Sequence, residues 1–144
     1  MENNLINILM ETDPKKLERN TKTEIEIARL SEIFGTPFLV TVKAIEGDRY
    51  TELASGTLMG DDGRVDYSRS YKANLMIAID GIVSPDIKNR ELQKHFGCAS
   101  PKDLMETLFN GGEVTKIADE ITELSGYGDD AAKKVKNSST RTEK

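Results

Sequence analysis

The chain has 144 residues, of which 31% are charged and 37% hydrophobic. This length predicts one domain that buries roughly 70% of its unfolded surface, so folding needs neither a metal nor a disulfide. The net charge of −5 argues against nucleic acid as the main partner, because phosphate binding needs a basic face. The single cysteine, Cys98, excludes an internal disulfide and fits a reducing compartment. No apolar run approaches the roughly 18 residues of a membrane helix, and the first residues lack the basic region of a secretion signal.

Residues 1–22 combine a short apolar cluster with a polar linker, and we predict that they form an arm. The apolar residues, which are spaced for two helical turns, are Leu5, Ile6, Ile8, Leu9 and Met10. Pro14 and a polar run to Lys22 follow them. A helix this short is not stable alone, so we expect it to pack on another surface. Packing on its own domain is the favoured interpretation, and docking on a neighbouring protein is the alternative.

Two segments show the residue pattern that is typical of β-strands. Residues 23–29 alternate charged and apolar side chains, and residues 38–45 are rich in β-branched side chains. Turn residues at 34–37 predict that the two strands pair as an antiparallel hairpin with a long connection. Residues 64–66 predict either a third short strand or a loop. Because so small a sheet is marginal alone, helices are expected to cover its apolar face.

Five helices are predicted after the second strand. They begin near Gly47, Tyr67, residue 88, Pro101 and Glu113. The helix over residues 67–82 is apolar on most sides and therefore central, and Pro85 is expected to end it. Its Asp80 needs a partner or water. In the short helix over residues 88–96, Leu92 and Phe96 are expected to point inward.

The helix boundaries in the second half of the chain follow known capping preferences. Gly97 predicts a left-handed cap, and Ser100 followed by Pro101 predicts a helix start. That helix carries an apolar side made of Leu104, Met105, Leu108 and Phe109. The last helix, over residues 113–124, has apolar residues at regular i, i+3, i+4 and i+7 spacing. Residues 129–144 are polar and lysine-rich, and we predict that they are disordered.

The predicted fold is therefore α+β and mostly helical. A small antiparallel hairpin or three-stranded sheet near the amino terminus packs against about five helices. The globular domain is predicted to span residues 23–128, between the arm and the polar tail.

Residues that commonly carry chemistry are few and show no catalytic spacing. We interpret His95 and Cys98 as capping and packing residues, because no triad or dyad pattern connects them. The acidic turn over residues 60–66 fails the calcium-loop test, since leucine would occupy the first ligand position. We therefore predict no catalytic residue, no cofactor and no metal site. A small carboxylate-based, metal-dependent enzyme remains as an alternative, and its carboxylates would be Asp61, Asp62, Asp66 and Asp80.

An ordered series of helix signals carries a family resemblance. The series is Gly81-Ile-Val-Ser-Pro85-Asp, Glu91-Leu-Gln-Lys-His-Phe-Gly97, Ser100-Pro101-Lys-Asp-Leu104, Gly112-Glu113 and Glu123-Leu-Ser-Gly126. The upstream strand over residues 38–44 fits the same pattern. In order and spacing the chain resembles the XkdN-like tail assembly chaperones of contractile-tailed phages and defective prophages. The resemblance covers roughly residues 24–130.

The resemblance implies a non-enzymatic protein of the bacterial host's cytoplasm, which binds the tape measure protein and keeps it soluble while the tail tube assembles. The tail tube protein is a further candidate partner, weak self-association is a candidate property, and neither nucleic acid nor membrane is expected. A minor structural tail protein that stays in the particle is the alternative. The family supplies no binding residues, so the candidates are exposed or wide apolar faces: Leu5, Ile6, Leu9, Met105 and Phe109. A core role is the favoured interpretation of the last two.

Overall fold

The structure, a computed structural model, describes residues 2–18, 21–128 and 132. Within these residues it contains seven α-helices and a three-stranded antiparallel sheet, which confirms the predicted mostly helical α+β class. The helices are α1 (Glu2–Glu11), α2 (Ala28–Phe34), α3 (Gly47–Leu58), α4 (Ser70–Gly81), α5 (Arg90–His95), α6 (Pro101–Leu108) and α7 (Gly111–Thr122). The strands are β1 (Lys22–Glu26), β2 (Leu39–Lys43) and β3 (Ile82–Ser84). Apart from residue 132, the predicted disordered tail over residues 129–144 lies outside the described residues.

Short helical turns connect some of these elements. They are the 3-10 turns Pro14–Leu17 and Tyr67–Arg69 and the π-helical turn Glu123–Tyr127. The π-helical turn follows α7 directly. Near its end, Gly126 has a left-handed φ of 94°. Glycine adopts this conformation without the steric cost that a Cβ would bring, and the predicted end of the last helix lies here.

The sheet has the order β1-β2-β3, and both pairings are antiparallel. Val40 and Val42 of β2 point into the core and are fully buried, so the predicted hairpin and its apolar face are confirmed. The third strand is β3, not residues 64–66, which contribute only a single bridge between Val65 and Met59. Residues 82–84 form the third strand because the chain leaves α4 beside β2, where they pair with Thr41 and Val42.

The prediction that the first strand runs to residue 29 is wrong. The strand ends at Glu26, and α2 occupies most of the predicted long connection. Ile27 is extended and buried at the start of α2, and Leu30, one turn on, is the helix's only buried residue. Gly35 then ends the helix in the left-handed conformation, with φ of 70°. A seven-residue helix with one buried side chain leaves almost no periodic signal, and tertiary burial decides its conformation.

The centre of the core is the contact between α4 and α7. Both helices bury their apolar faces, and the fully buried side chains of α7 include Val114, Ile117 and Ile121. At Gly81, the last residue of α4, a Cβ atom would lie only 2.5–2.9 Å from three side-chain carbons of Ile121. The helix ends there, three residues before Ser84, so Pro85 is not what ends it.

The short helix α5 differs from its prediction in one side chain. Phe96 was expected inside, but it is 44% exposed, whereas Gln93 is buried. The reason is that α5 ends at His95, which leaves Phe96 at the helix end with non-helical ψ of 10°. The Gln93 amide donates a hydrogen bond of 2.8 Å to the Ile87 carbonyl, and that bond compensates its burial.

The two helix caps predicted on either side of residue 99 are confirmed. Gly97 has φ of 70°, as expected for a left-handed cap. The Ser100 hydroxyl accepts a hydrogen bond of 3.1 Å from the Asp103 amide, and Pro101 occupies the first position of α6. These caps fix the direction in which α6 enters the core, where Leu104 is fully buried.

An ion pair ties the start of α2 to the start of α7. Arg29 donates from Nε and Nη2 to the two carboxylate oxygens of Glu113, at 3.0 and 2.9 Å, and its Nη2 also lies 2.9 Å from the Leu108 carbonyl oxygen. Glu113 accepts a further hydrogen bond of 2.8 Å from the Asn110 amide, which caps α7. The hydrogen bond from Arg29 is the main cause that lowers the pKa of Glu113 below its ordinary value, although burial opposes it.

We expect Glu113→Gln to destabilise the protein by roughly 1–2 kcal/mol at neutral pH, because it removes a charged acceptor and weakens the cap. A carboxyl whose folded pKa is lowered contributes stability above its unfolded pKa, and this contribution is lost as the pH falls through the folded pKa. The difference between wild type and variant should therefore shrink below about pH 4. Urea unfolding at several pH values measures it. Glu106→Gln is the control. It removes an exposed pair with Lys102, keeps an oxygen that can accept the 3.5 Å hydrogen bond from the Tyr71 hydroxyl, and should cost less than about 0.5 kcal/mol.

Candidate partner-binding surface

Helix α1 carries a broad apolar face. At 100° per residue, the apolar side chains between residues 5 and 10 cover an arc of about 200°, and a narrower polar stripe lies opposite. The members of the polar stripe are Asn4, Asn7 and Glu11. At the end of the helix, the Thr12 hydroxyl donates a hydrogen bond of 2.6 Å to the Ile8 carbonyl. The Asp13 carboxylate accepts a hydrogen bond of 3.0 Å from the Lys15 amide, which caps the next turn.

The apolar face of α1 is open to solvent. The exposed fractions are 63% for Leu5, 56% for Ile6 and 62% for Leu9, and Ile8 and Met10 are also more than half exposed. The expected packing of this helix on its own domain is therefore wrong. The following turn, Pro14–Leu17, has no buried residue either. A contiguous exposed apolar face of this kind is typical of an interaction surface.

The other two candidate contact residues lie elsewhere. Met105 and Phe109 belong to α6 and its carboxyl end, and both are buried in the hydrophobic core. Phe109 packs edge-on against Phe38, with ring centroids 6.4 Å apart. The structure therefore does not bring these two residues together with Leu5, Ile6 and Leu9. A partner would reach them only if the core opened.

The four aspartates of the enzyme alternative make local structural contacts. The Asp62 carboxylate accepts a hydrogen bond of 3.0 Å from the Arg64 amide within its turn, and the Asp66 carboxylate accepts one of 3.0 Å from the Ser68 amide. The Ser68 hydroxyl and amide together lower the pKa of Asp66. The Asp80 carboxylate accepts hydrogen bonds from Nε and Nη2 of Arg49, at 3.2 and 3.1 Å. Arg49 is therefore the partner that the position of Asp80 near the helix end requires.

Asp61 is the fourth of these aspartates, and its carboxylate is fully exposed, 3.9 Å from Arg69. Among the described residues, no group of three or more histidine, cysteine, aspartate or glutamate side chains is placed to hold a metal ion. Over the same part of the chain, no helix combines the length and apolar content needed to cross a membrane.

His95 and Cys98 are near each other in sequence but make different contacts. The ring of His95 lies edge-on to Phe96, with centroids 5.0 Å apart. The Cys98 sulfur lies 3.3 Å from the Thr107 hydroxyl and 3.7 Å from the Phe96 carbonyl oxygen. These contacts fit the capping and packing roles predicted for the two residues.

Comparison with known proteins places the chain in a family. The sequence profile of the family described as "Phage XkdN-like tail assembly chaperone protein" matches residues 6–138, which is most of the chain. The chain belongs to the XkdN-like tail assembly chaperone family. The resemblance drawn from the helix signals is thereby confirmed. This XkdN-like protein is a member of a phage chaperone family, with partners expected among phage tail proteins.

A solved structure supports the fold of this XkdN-like protein. The crystal structure of the protein yqbn is 24% identical in sequence, with a TM-score of 0.57 over 81% of this chain and 93% of that chain. At this identity the likeness concerns the fold alone. A search of curated proteins finds no match.

Two features at the surface of this XkdN-like protein are not predicted from its sequence, in addition to α2 and β3. One is the Arg29 pair with Glu113, whose partners are 84 residues apart and leave no local pattern. Asparagine at position 110 and glutamate at position 113 have the spacing of a capping box. This spacing predicts the capping role of Glu113, but it does not predict that Arg29 is its partner. The other is the free edge of β1, which depends on where that strand lies in the sheet. Strand order is a property of the whole fold, so no local signal indicates it.

Proposed function

We propose that this chain binds the phage tape measure protein in the cytoplasm of the bacterial host and keeps it soluble while the tail tube assembles. It does so by contact alone, without catalysis or a cofactor. The observation that carries the proposal is the exposed apolar face of α1, in a chain that belongs to a tail assembly chaperone family. An amphipathic helix of this kind recognises an apolar helical face or groove on its partner.

The proposal assigns a separate role to each part of the chain. Residues 1–22 are the arm that contacts the client, and residues 23–128 are the globular domain that carries the arm. Residues 129–144 are a polar tail. Leu5, Ile6 and Leu9 are the proposed contact residues, since they lie nearest the middle of the exposed apolar arc.

The energy available from α1 indicates how the client is held. Burying an aliphatic side chain is worth about 1.5–3 kcal/mol, so completing the burial of these three side chains contributes roughly 3–5 kcal/mol. One arm alone therefore binds weakly, because much of this energy offsets the translational and rotational freedom that is lost on association. Several copies on one long client bind far more tightly, because each bound copy raises the effective concentration of the next. Weak self-association of the chaperone acts in the same direction.

The charge of the chain supports the same role. With a net charge of −5, copies that coat an apolar client repel one another and keep the complex dispersed. The binding surface is apolar and α1 carries no lysine or arginine, so the proposed partner is a protein surface and neither nucleic acid nor a membrane. The tail tube protein is a further proposed partner, because the client must pass from chaperone to tube.

Co-expression tests the proposal. We expect the tape measure protein of the same phage or prophage to stay in the supernatant when it is produced together with this chain, and to co-purify with it. The tape measure protein produced alone should sediment. The soluble fraction after centrifugation measures the effect, and an unrelated acidic protein of similar size is the control. Equal aggregation with and without this chain would remove the main support for the proposal.

A minor structural tail protein is the second candidate for a member of this family. Mass spectrometry of purified particles separates the two roles. A departing chaperone is absent from finished tails, whereas a structural protein is present at a fixed ratio to the tube protein.

A further inference from the structure

Within the part of the chain that the structure describes, no strand pairs with the outer edge of β1, which is called the free edge below. Successive residues of an antiparallel strand direct their backbone hydrogen-bonding groups alternately to the two sides. The Ala44 amide donates to the Thr21 carbonyl at 3.2 Å, and the Ile27 amide donates to the Phe38 carbonyl at 3.0 Å. The odd-numbered residues of β1 therefore bond to β2, and the peptide groups of the even-numbered residues point to the free side. Those residues are Lys22, Glu24 and Glu26.

A groove runs beside this free edge. It has a volume of about 360 Å³ and lies between residues 25–29 on one side and the flank of α7 on the other. The α7 side chains that line it are Glu113, Lys116 and Glu120. Ile25 and Ile27 give the strand side of the groove an apolar lining. A free strand edge beside a helix-bordered groove is the arrangement in which proteins add an extended peptide to a sheet.

The charges along the edge define what kind of peptide fits. Glu24 and Glu26 are exposed on the outer face of the sheet, and their cross-strand neighbours on β2 are the uncharged Thr41 and Leu39. Among the described residues neither glutamate forms an ion pair. A strand added at the usual spacing of about 4.8 Å would place one side chain directly opposite each glutamate. Basic side chains at those positions would neutralise both.

We propose that the free edge of β1 binds an extended segment of a partner protein in which lysine or arginine alternates with aliphatic residues. The partner's backbone pairs with Lys22, Glu24 and Glu26 to form a fourth strand. Its basic side chains lie over Glu24 and Glu26, and its aliphatic side chains enter the groove beside Ile25. This surface is distinct from α1, and it does not depend on the identity of the client bound there.

A peptide titration tests the proposal. The probe is the pentapeptide Val-Lys-Val-Lys-Val with blocked ends, whose two lysines face Glu24 and Glu26 and not Lys22. It is added to the ¹⁵N-labelled full chain and followed by NMR. We expect the largest shifts at the amides of Lys22, Glu24 and Glu26, and binding that weakens as salt is added. The matched control replaces the lysines of the peptide by glutamates and should bind at least about tenfold more weakly. Equal binding of the two peptides, or shifts confined to other elements, would overturn the proposal.

Two variants separate the backbone contribution from the charge contribution. Glu24→Pro removes an amide that points to the free side together with the Glu24 carboxylate, and the β1-β2 ladder keeps its hydrogen bonds. Its peptide affinity should fall about fivefold to tenfold below that of Glu24→Gln, which removes the charge alone. Glu24→Gln combined with Glu26→Gln keeps every amide, and affinity should fall together with its salt dependence. If Glu24→Pro does not fold, the glutamine pair still decides the question. Concentration-dependent dimers that are lost in the glutamine pair would show that a second copy occupies the edge, which contradicts the proposal.

Discussion

A chain in which Leu5, Ile6 and Leu9 are all replaced by serine should fail to keep the tape measure protein soluble, and it should unfold at an unchanged temperature. These side chains are 56–63% exposed, so their loss changes the free energy of unfolding little. Each copy loses roughly 3–5 kcal/mol of contact energy with the client, which lowers affinity by more than about 100-fold. The soluble fraction of the client after co-expression and the melting temperature of the chaperone are the two measurements.

Substitutions on the other faces make this result specific. Asn4→Ser with Asn7→Ser changes the polar stripe of α1 and should leave the client soluble. Met105→Ala and Phe109→Ala each remove a core side chain at a cost of about 2–5 kcal/mol, so any loss of client binding should accompany a lower melting temperature. A triple serine variant that still holds the client soluble would mean that α1 is not the contact surface.

The second large effect is expected at Gly81, where Gly81→Ala should destabilise the protein although alanine favours helices. The new Cβ would lie 2.5 Å from Cδ1, 2.8 Å from Cγ1 and 2.9 Å from Cγ2 of Ile121, and that side chain is fully buried. Overpacking of this kind costs up to about 3 kcal/mol, against a gain of about 1 kcal/mol in helix propensity. The net loss of about 2 kcal/mol should lower the melting temperature by roughly 4–8 °C.

A double-mutant cycle identifies the cause of that loss. Ile121→Ala alone should cost about 2–5 kcal/mol because it leaves a cavity, but in its presence Gly81→Ala should cost nothing or stabilise. Gly112→Ala is the matched control. Apart from its chain neighbours and the backbone of its own helix, none of the described atoms lies within 4 Å of its added Cβ, so its effect should be neutral or slightly stabilising. Additive effects at Gly81 and Ile121 would show that the contact between α4 and α7 is looser than the distances indicate.

The parts of the fold that could be predicted from sequence are those with strong local patterns. The β1-β2 pairing, α3, α4, α6 and α7 all follow from periodicity, and the caps at Gly97 and Ser100 follow from residue type. The elements that were missed are short. α2 has one buried side chain and β3 has three residues, so both depend on contacts with distant parts of the chain. The expectation for Phe96 is wrong because α5 ends one residue earlier than predicted, so the Phe96 side chain no longer follows the helical face.

The proposed binding surfaces were only partly predictable. The apolar spacing of Leu5, Ile6 and Leu9 indicated an amphipathic helix, but spacing does not distinguish a face buried on the domain from one left open. The structure supplied that distinction through exposure. The free edge of β1 depends on strand order, and the groove beside it depends on α7, which lies about 90 residues downstream. Neither property is encoded in a local window of sequence.

The distance in sequence between Arg29 and Glu113 has a consequence for biosynthesis. At 5–20 residues per second, a ribosome needs roughly 4–17 s to make the 84 residues that separate them. During that time the nascent sheet lacks the helix that buries its inner face, since α7 supplies Val114, Ile117 and Ile121. The nascent polypeptide therefore exposes apolar surface for several seconds, which is the same condition from which it is proposed to protect its client.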